Sequence, residues 1–277
     1  MIRLWFLFLL ACSLVNFAGA QMDYTLDSPY RKHSEGEWAW TLGTAAQLYT
    51  APDTEAVLHA TLPTATPLKI LERLDEAEKR LGFYTNWYRV QYQQQEAFIW
   101  GGDLAVAQVQ ASNAPIQFTY GLKKISTIQY NNYQEPQLLL LLFASYQGQV
   151  LDSIALAAVG TLYTQTQLQT KDNQGLIGIE QVVELAFSDG YCGGVAATST
   201  LLWDGKKWHV LGLLSQGFGE NTFSNQYYKY PQDHKKGSNI IELWKEEGYY
   251  NSKQQPVYRR RKKQWYEWTG TQLLSIE

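Results

Sequence analysis

The chain has 277 residues, with 23 Lys and Arg against 26 Asp and Glu, a formal charge of −3. A mildly acidic chain is a poor general binder of polyanions, so the charge balance argues against nucleic acid as a partner. Tyr (19) and Trp (10) are abundant and long helix-forming stretches are scarce, which favours sheet over helix.

The first twenty residues read as a leader. Met1-Ile2-Arg3 forms a charged start, Leu4 to Val15 is apolar, and Ala18-Gly19-Ala20 supplies the small residues of a cleavage site. Residues 1–20 are therefore expected to be a secretory signal peptide that sends the protein to the periplasm or the cell surface. Leu9-Leu10-Ala11-Cys12 also resembles the lipobox of bacterial lipoproteins, but the apolar run continues past Cys12, which favours cleavage after Ala20. A membrane-crossing helix needs about 20 apolar residues, and neither this run nor any later one meets that, so no transmembrane segment is expected. Cleavage removes Cys12 and leaves Cys192 without an intramolecular disulfide partner. Burial is the default for such a thiol.

Residues 21–37 are polar and aperiodic, and read as a flexible leader. From 38 to 106 short β-type segments follow quickly. Gln47-Leu48-Tyr49 runs into the turn-like Ala51-Pro52-Asp53, and Leu68-Lys69-Ile70-Leu71 is the next apolar stretch. Trp87 to Tyr92 alternates like a half-buried strand, and Ala97-Phe98-Ile99-Trp100 closes the series. Asp75 to Arg80, dense in charge, reads as a solvated loop. Segments at this spacing predict a small barrel.

The order of these elements, from Trp38 to Ala105, resembles a bacterial SH3 (SH3b) domain. The resemblance is carried by Leu48-Tyr49-Thr50-Ala51-Pro52, Thr66-Pro67-Leu68-Lys69-Ile70-Leu71, Trp87-Tyr88-Arg89-Val90 and Ala97-Phe98-Ile99-Trp100-Gly101-Gly102-Asp103-Leu104. Ala97 stands where the family pattern has glycine, and the charged insertion lengthens one loop. The resemblance implies an aromatic surface that binds an extended peptide, with Tyr49, Trp87 and Trp100 as its candidate residues. A small barrel also needs large side chains inside, and Trp87 suits either place. The implied partner is a peptidoglycan peptide or an envelope protein.

A spacer at 107–115 leads to a β-rich region at 116–277, expected to be an antiparallel β-meander or open barrel. Its strands are placed at Gln137 to Phe143, Ser153 to Tyr163, Ile177 to Phe187, Thr198 to Trp203, Trp208 to Leu214, Ile240 to Trp244, Pro256 to Arg259 and Gln264 to Trp268. Trp203-Asp204-Gly205-Lys206-Lys207-Trp208 is the clearest hairpin, since Asp-Gly supplies the positive φ of a tight turn. Tyr258 to Trp265 reads as a looser echo, a basic turn between aromatic residues.

Catalytic signatures are missing. Bacterial SH3 domains often accompany cell-wall cysteine peptidases, but Cys192 is followed by a strand-like segment, and neither His209 nor His234 carries that family's motif. There is no G-x-S-x-G or S-x-x-K set, no metal-ligand spacing among His33, His59, His209 and His234, and no phosphate loop. No cofactor or metal is expected. Glu180 and Glu184 share one face of a presumed strand, which suits structural use better than glycan cleavage. Arg259, Arg260, Arg261, Lys262 and Lys263 form a run of five cations, read as a solvated hairpin tip or as a contact for an anionic envelope surface. The expected function is that of a non-catalytic envelope binding or scaffolding protein. A cell-wall hydrolase with its catalytic part in the C-terminal region is the alternative, and the C-terminal meander is a second candidate for the recognising part.

Overall fold

A computed structural model describes residues 28, 30, 32–129, 134–190, 196–234 and 236–276. The expected signal peptide, Cys12, most of the 21–37 leader and Cys192 lie outside them. The regular elements described are β-strands, apart from 3-10 turns at Gly101–Asp103 and Pro231–Asp233. The fold is mainly β and antiparallel, a six-stranded unit followed by a larger meander, as expected from the sequence.

The first sheet holds β1 (Trp38–Trp40), β2 (Ala46–Tyr49), β3 (Leu58–Leu62), β4 (Pro67–Arg80), β5 (Phe83–Tyr92) and β6 (Gln95–Trp100), in the spatial order β1-β4-β5-β6-β2-β3. The segments that carry the SH3b resemblance fall on β2, β4, β5 and β6 and on the 3-10 turn after β6. Asp75 to Arg80 is strand rather than loop: after a register shift between Arg73 and Ala77, the ladder continues to Arg80↔Phe83. The reversal is the two-residue turn Leu81-Gly82, both with positive φ (55° and 87°). That combination matches the twist of a hairpin. A run of charge is compatible with a strand whose outer face meets water.

The second sheet comprises β7 (Ala107–Gln110), β8 (Gln117–Gln129), β9 (Gln134–Tyr146) and β10 (Gln149–Ala157), in the order β10-β9-β8-β7. The expected spacer at 107–115 thus begins with a strand: β7 pairs with β8 from Ala107↔Tyr120 to Gln110↔Gln117. The third sheet is an eight-stranded meander in chain order, β11 (Gln165–Lys171), β12 (Gln181–Ser188), β13 (Ala196–Trp203), β14 (Trp208–Phe218), β15 (Thr222–Lys229), β16 (Ile240–Tyr250), β17 (Pro256–Trp268) and β18 (Leu273–Ile276). The expected hairpin is present between β13 and β14. Trp203 and Trp208 are cross-strand partners, and Gly205 in the turn has φ +90°.

The second sheet packs on the early strands of the third. Phe118 on β8 meets Trp203 and Trp208 at ring distances of 6.1 and 5.0 Å, and the Tyr120 hydroxyl lies 2.6 Å from Thr166 Oγ1. One buried cluster contains these residues together with Leu138, Leu140 and Leu142 of β9, Val183, Leu185 and Phe187 of β12, and Tyr49, Phe83, Trp87 and Trp100 of the first sheet. The core therefore runs without a break from the six-stranded unit into the meander. Two further contacts reinforce the junction: Leu42 packs on Gly121, and the Ile125 amide donates to the Leu81 carbonyl at 3.4 Å.

Two outcomes follow from this continuity. Residues 38–106 expressed alone lose the apolar cover of Phe83, Trp87 and Trp100, and are expected to give the collapsed amide spectrum of an unfolded chain. A dispersed NMR spectrum from that fragment would show the unit to be autonomous. In the full chain Trp203→Ala removes a fully buried indole, and urea denaturation is expected to record a loss of about 3–5 kcal/mol.

Candidate binding surface

The three aromatic residues expected to line a peptide groove are inside the protein. Tyr49, Trp87 and Trp100 are 6%, 2% and 0% exposed. Trp87 and Trp100 are direct cross-strand partners on β5 and β6, so both project from the same face of the sheet, and that face is the one turned to the core. Tyr49 meets Trp87 edge-on at 5.6 Å, and Trp100 Nε1 donates to the Glu78 carbonyl at 3.1 Å. A unit of this size must fill its interior with its largest side chains, and these three are consumed in doing so. They form no open groove.

The carboxylate pair is also dispersed. Glu184 is engaged by Lys171 at 2.7 Å and by Gln169 at 2.7 Å, while the Glu180 carboxylate lies against the turn at Gly205. Four residues of extended strand span roughly 13 Å at about 3.3 Å each, beyond the ~5–9.5 Å between the two carboxyl groups of a glycosidase. The histidines stand apart. His33 faces Glu37 at 3.0 Å, His209 faces Asp204 at 2.8 Å, and His234 reaches the Ile240 carbonyl at 3.0 Å. Among the described residues no three His, Cys, Asp or Glu gather as a metal site requires.

The basic run is not at a hairpin tip. Arg259 to Lys263 occupies the middle of β17, and the chain reversal lies earlier, at 251–255. Strand alternation therefore sends successive cations to opposite sides. On one side, Arg261 and Lys263 stand opposite Glu246 and Trp244 of β16. Arg261 donates to Glu246 Oε1 through Nε at 2.9 Å and through a terminal nitrogen at 2.6 Å. Lys263 lies 3.6 Å from Glu242, whose carboxylate also accepts the Trp244 indole N–H at 2.9 Å.

The same side carries a layer of rings and cations above these acids. Tyr227 of β15 stacks parallel to Trp244, with ring centroids 6.3 Å apart. Lys263 lies over the rings of Trp244 and Trp265 at 4.8 and 5.2 Å, Arg261 over Tyr258 at 4.5 Å, and Lys236 over Trp265 at 3.6 Å. Each such contact is worth about 0.5–1 kcal/mol at an exposed site. Glu242 and Glu246 are only 4% and 5% exposed beneath it. On this side the cations are held within the molecule, neutralising two buried carboxylates.

The opposite side differs. Arg260 and Lys262 project there with Lys245 of β16, and Lys245↔Lys262 and Glu247↔Arg260 are direct cross-strand pairs. All four are exposed. These residues, with Lys263 and Gln264, line an open cleft of about 490 Å³. A second depression of about 520 Å³ shares Glu247 with it and is bordered by Phe218, Phe223, Ser224, Gly248 and Arg259. Arg259 is the extra residue of a bulge opposite Glu247 and Gly248, and its guanidinium lies 5.0 Å from the centroid of the Tyr249 ring.

Against known proteins the chain is without a match: no family model, no curated protein and no solved structure is similar to it. The surface above thus stands on its own geometry. The run at 259–263 is visible in the sequence, but its division is not, because that needs the strand through it. Lys245, an isolated lysine in the sequence, joins the site only through the β16–β17 register.

Burial pushes the Glu242 carboxyl up, but the Trp244 indole hydrogen bond and the charges of Lys263, His234 and Lys236 outweigh it and hold the group below its ordinary value of 4.5. A group depressed in the folded state gives stability that is present above its unfolded value and lost as pH falls through the folded one. Urea midpoints measured down an acid series are expected to fall less steeply below 4.5 in Glu242→Gln than in the parent chain. Parallel acid limbs would remove this account of Glu242.

Proposed function

We propose that the protein is an exported, non-catalytic binding or scaffolding protein of the bacterial envelope, and that its recognising surface is the open side of the β15–β17 ribbon. The single observation that supports this is the exposed cluster of Lys245, Arg260 and Lys262 around one cleft, with no ion pair to any of the three among the described residues. Charged side chains held within a fold acquire counter-charges, as Arg261 and Lys263 do. Those left without one on an open face are available to something else.

In this reading the SH3b-like unit acts as a frame. Its aromatic side chains join the common core and brace the meander, and the peptide or polymer of the envelope meets the protein on the ribbon. The leader at 1–20 supports an extracytoplasmic destination. The separation of Glu180 from Glu184 favours binding over glycan hydrolysis.

The chain from Gln21 onward, mixed with isolated bacterial envelopes and sedimented, is expected to enter the pellet. Lys245→Gln/Arg260→Gln/Lys262→Gln is expected to move most of it to the supernatant. A parent chain that stays in the supernatant with every envelope fraction would overturn the proposal.

A further inference from the structure

The chemistry of the ribbon's open face allows its ligand to be named more closely, an inference that rests on the reading of that face as the binding surface. Within one strand, β17, the cations of one side are neutralised and those of the other are not. Arg261 and Lys263 are matched to Glu246 and Glu242. Arg260 and Lys262, their immediate neighbours in sequence, share their cleft with a third cation, Lys245, and a single carboxylate, Glu247. Lys245 lies directly across from Lys262, and like charges in that position oppose strand pairing. An acidic chain with 26 Asp and Glu has carboxylates to spare for that position, yet a lysine occupies it.

The groups present are those that bind phosphate: a planar guanidinium fork from Arg260 and two ammonium donors from Lys245 and Lys262. Gln264 adds neutral hydrogen-bonding capacity at the rim. The adjoining depression is of a different character. Phe218 borders it and is 43% exposed, and Tyr249 lies half-buried under Arg259. A free inorganic phosphate has no use for an aromatic border, whereas a bilayer presents phosphate beside apolar chain.

We propose that this face docks on a bilayer containing acidic phospholipids, with headgroup phosphates among Lys245, Arg260 and Lys262 and with Phe218 directed into the interface. The contribution is electrostatic and short in range, so it falls as salt shortens the screening length.

The test uses the chain from Gln21 onward with vesicles of phosphatidylcholine alone, and of phosphatidylcholine mixed with phosphatidylglycerol. Co-sedimentation is expected only with the mixed vesicles, and is expected to fall with added salt. Lys245→Gln/Arg260→Gln/Lys262→Gln is expected to weaken partitioning by about a hundredfold, since each cation near an acidic surface contributes about a factor of five. Lys124→Gln/Lys206→Gln/Lys207→Gln removes as many charges elsewhere and is expected to leave partitioning unchanged. Lys245→Arg/Lys262→Arg, with a melting curve like that of the parent, is expected to retain it and so separates loss of the site from loss of the fold. Equal losses in the two glutamine triples would reduce the effect to diffuse attraction and overturn the site. Binding to soluble polyphosphate without binding to mixed vesicles would assign the cleft to a dissolved phosphopolymer and overturn the lipid. Retained sedimentation with whole envelopes alongside failure with vesicles would sink this inference and leave the broader function standing.

Discussion

Successive side chains of a β-strand project to opposite sides of its sheet, and in a protein built from antiparallel strands that alternation decides which residues meet. It brings Trp87 and Trp100 to one face through the β5–β6 register, and Trp203 and Trp208 to one face through the β13–β14 hairpin. The paired rings are large enough that each pair becomes part of a core. The same rule splits five consecutive cations on β17 into two sets with different neighbours. The chemistry of the surface is thus fixed by register before any question of charge strength arises.

The core follows from the same constraint. The six-stranded unit has short strands, such as β1 and β2, and a small interior of its own around Leu48, Leu68, Ile70, Val90 and Ile99. Its aromatic residues lie in a second cluster, shared with β8, β9, β12 and β13. Small domains bury too little surface to be comfortably stable alone, and sharing a cluster of rings with a larger neighbour removes that difficulty. The cost is functional: rings spent on the junction cannot line a groove. An SH3b-like order of motifs is therefore compatible with a unit that has no exposed aromatic ligand site.

What the sequence makes legible depends on whether the signal is local. The Trp203 to Trp208 hairpin is readable because Asp204-Gly205 needs only its own neighbours to declare a turn. β5 and β6 are readable from their alternation of large and polar residues. β11, Gln165–Lys171, escapes such reading because it is made mostly of Gln and Thr and places little apolar surface on either face. Arg259 to Lys263 and Asp75 to Arg80 mislead for the opposite reason. Their charge density suggests water on all sides, when each belongs to a strand with a specific partner. For Arg261 that partner, Glu246, is 15 residues earlier, and no local pattern announces it. The candidate site is less legible than the fold, because Lys245 has no motif around it and enters only by pairing.

The energetic asymmetry of the ribbon carries the functional argument. On the side with Glu242 and Glu246, removing a cation would strand a buried carboxylate, and stranding a buried charge is costly because its lost hydration is not replaced. On the open side the sign is reversed. Lys245 opposite Lys262 disfavours the strand pair by about 0.2–1 kcal/mol relative to neutral residues, so the fold itself gains nothing from keeping both. The long methylene stems of lysine can shield sheet surface, but Gln or Thr would cover the same strand without the repulsion. A positive cluster that the fold does not need, held within a chain of net charge −3, creates a local field opposite to that of the rest of the molecule. Such a field selects orientation: an anionic surface is repelled by most of the protein and attracted at one face, so the approach that brings the β16–β17 cleft forward is the one with the lowest energy.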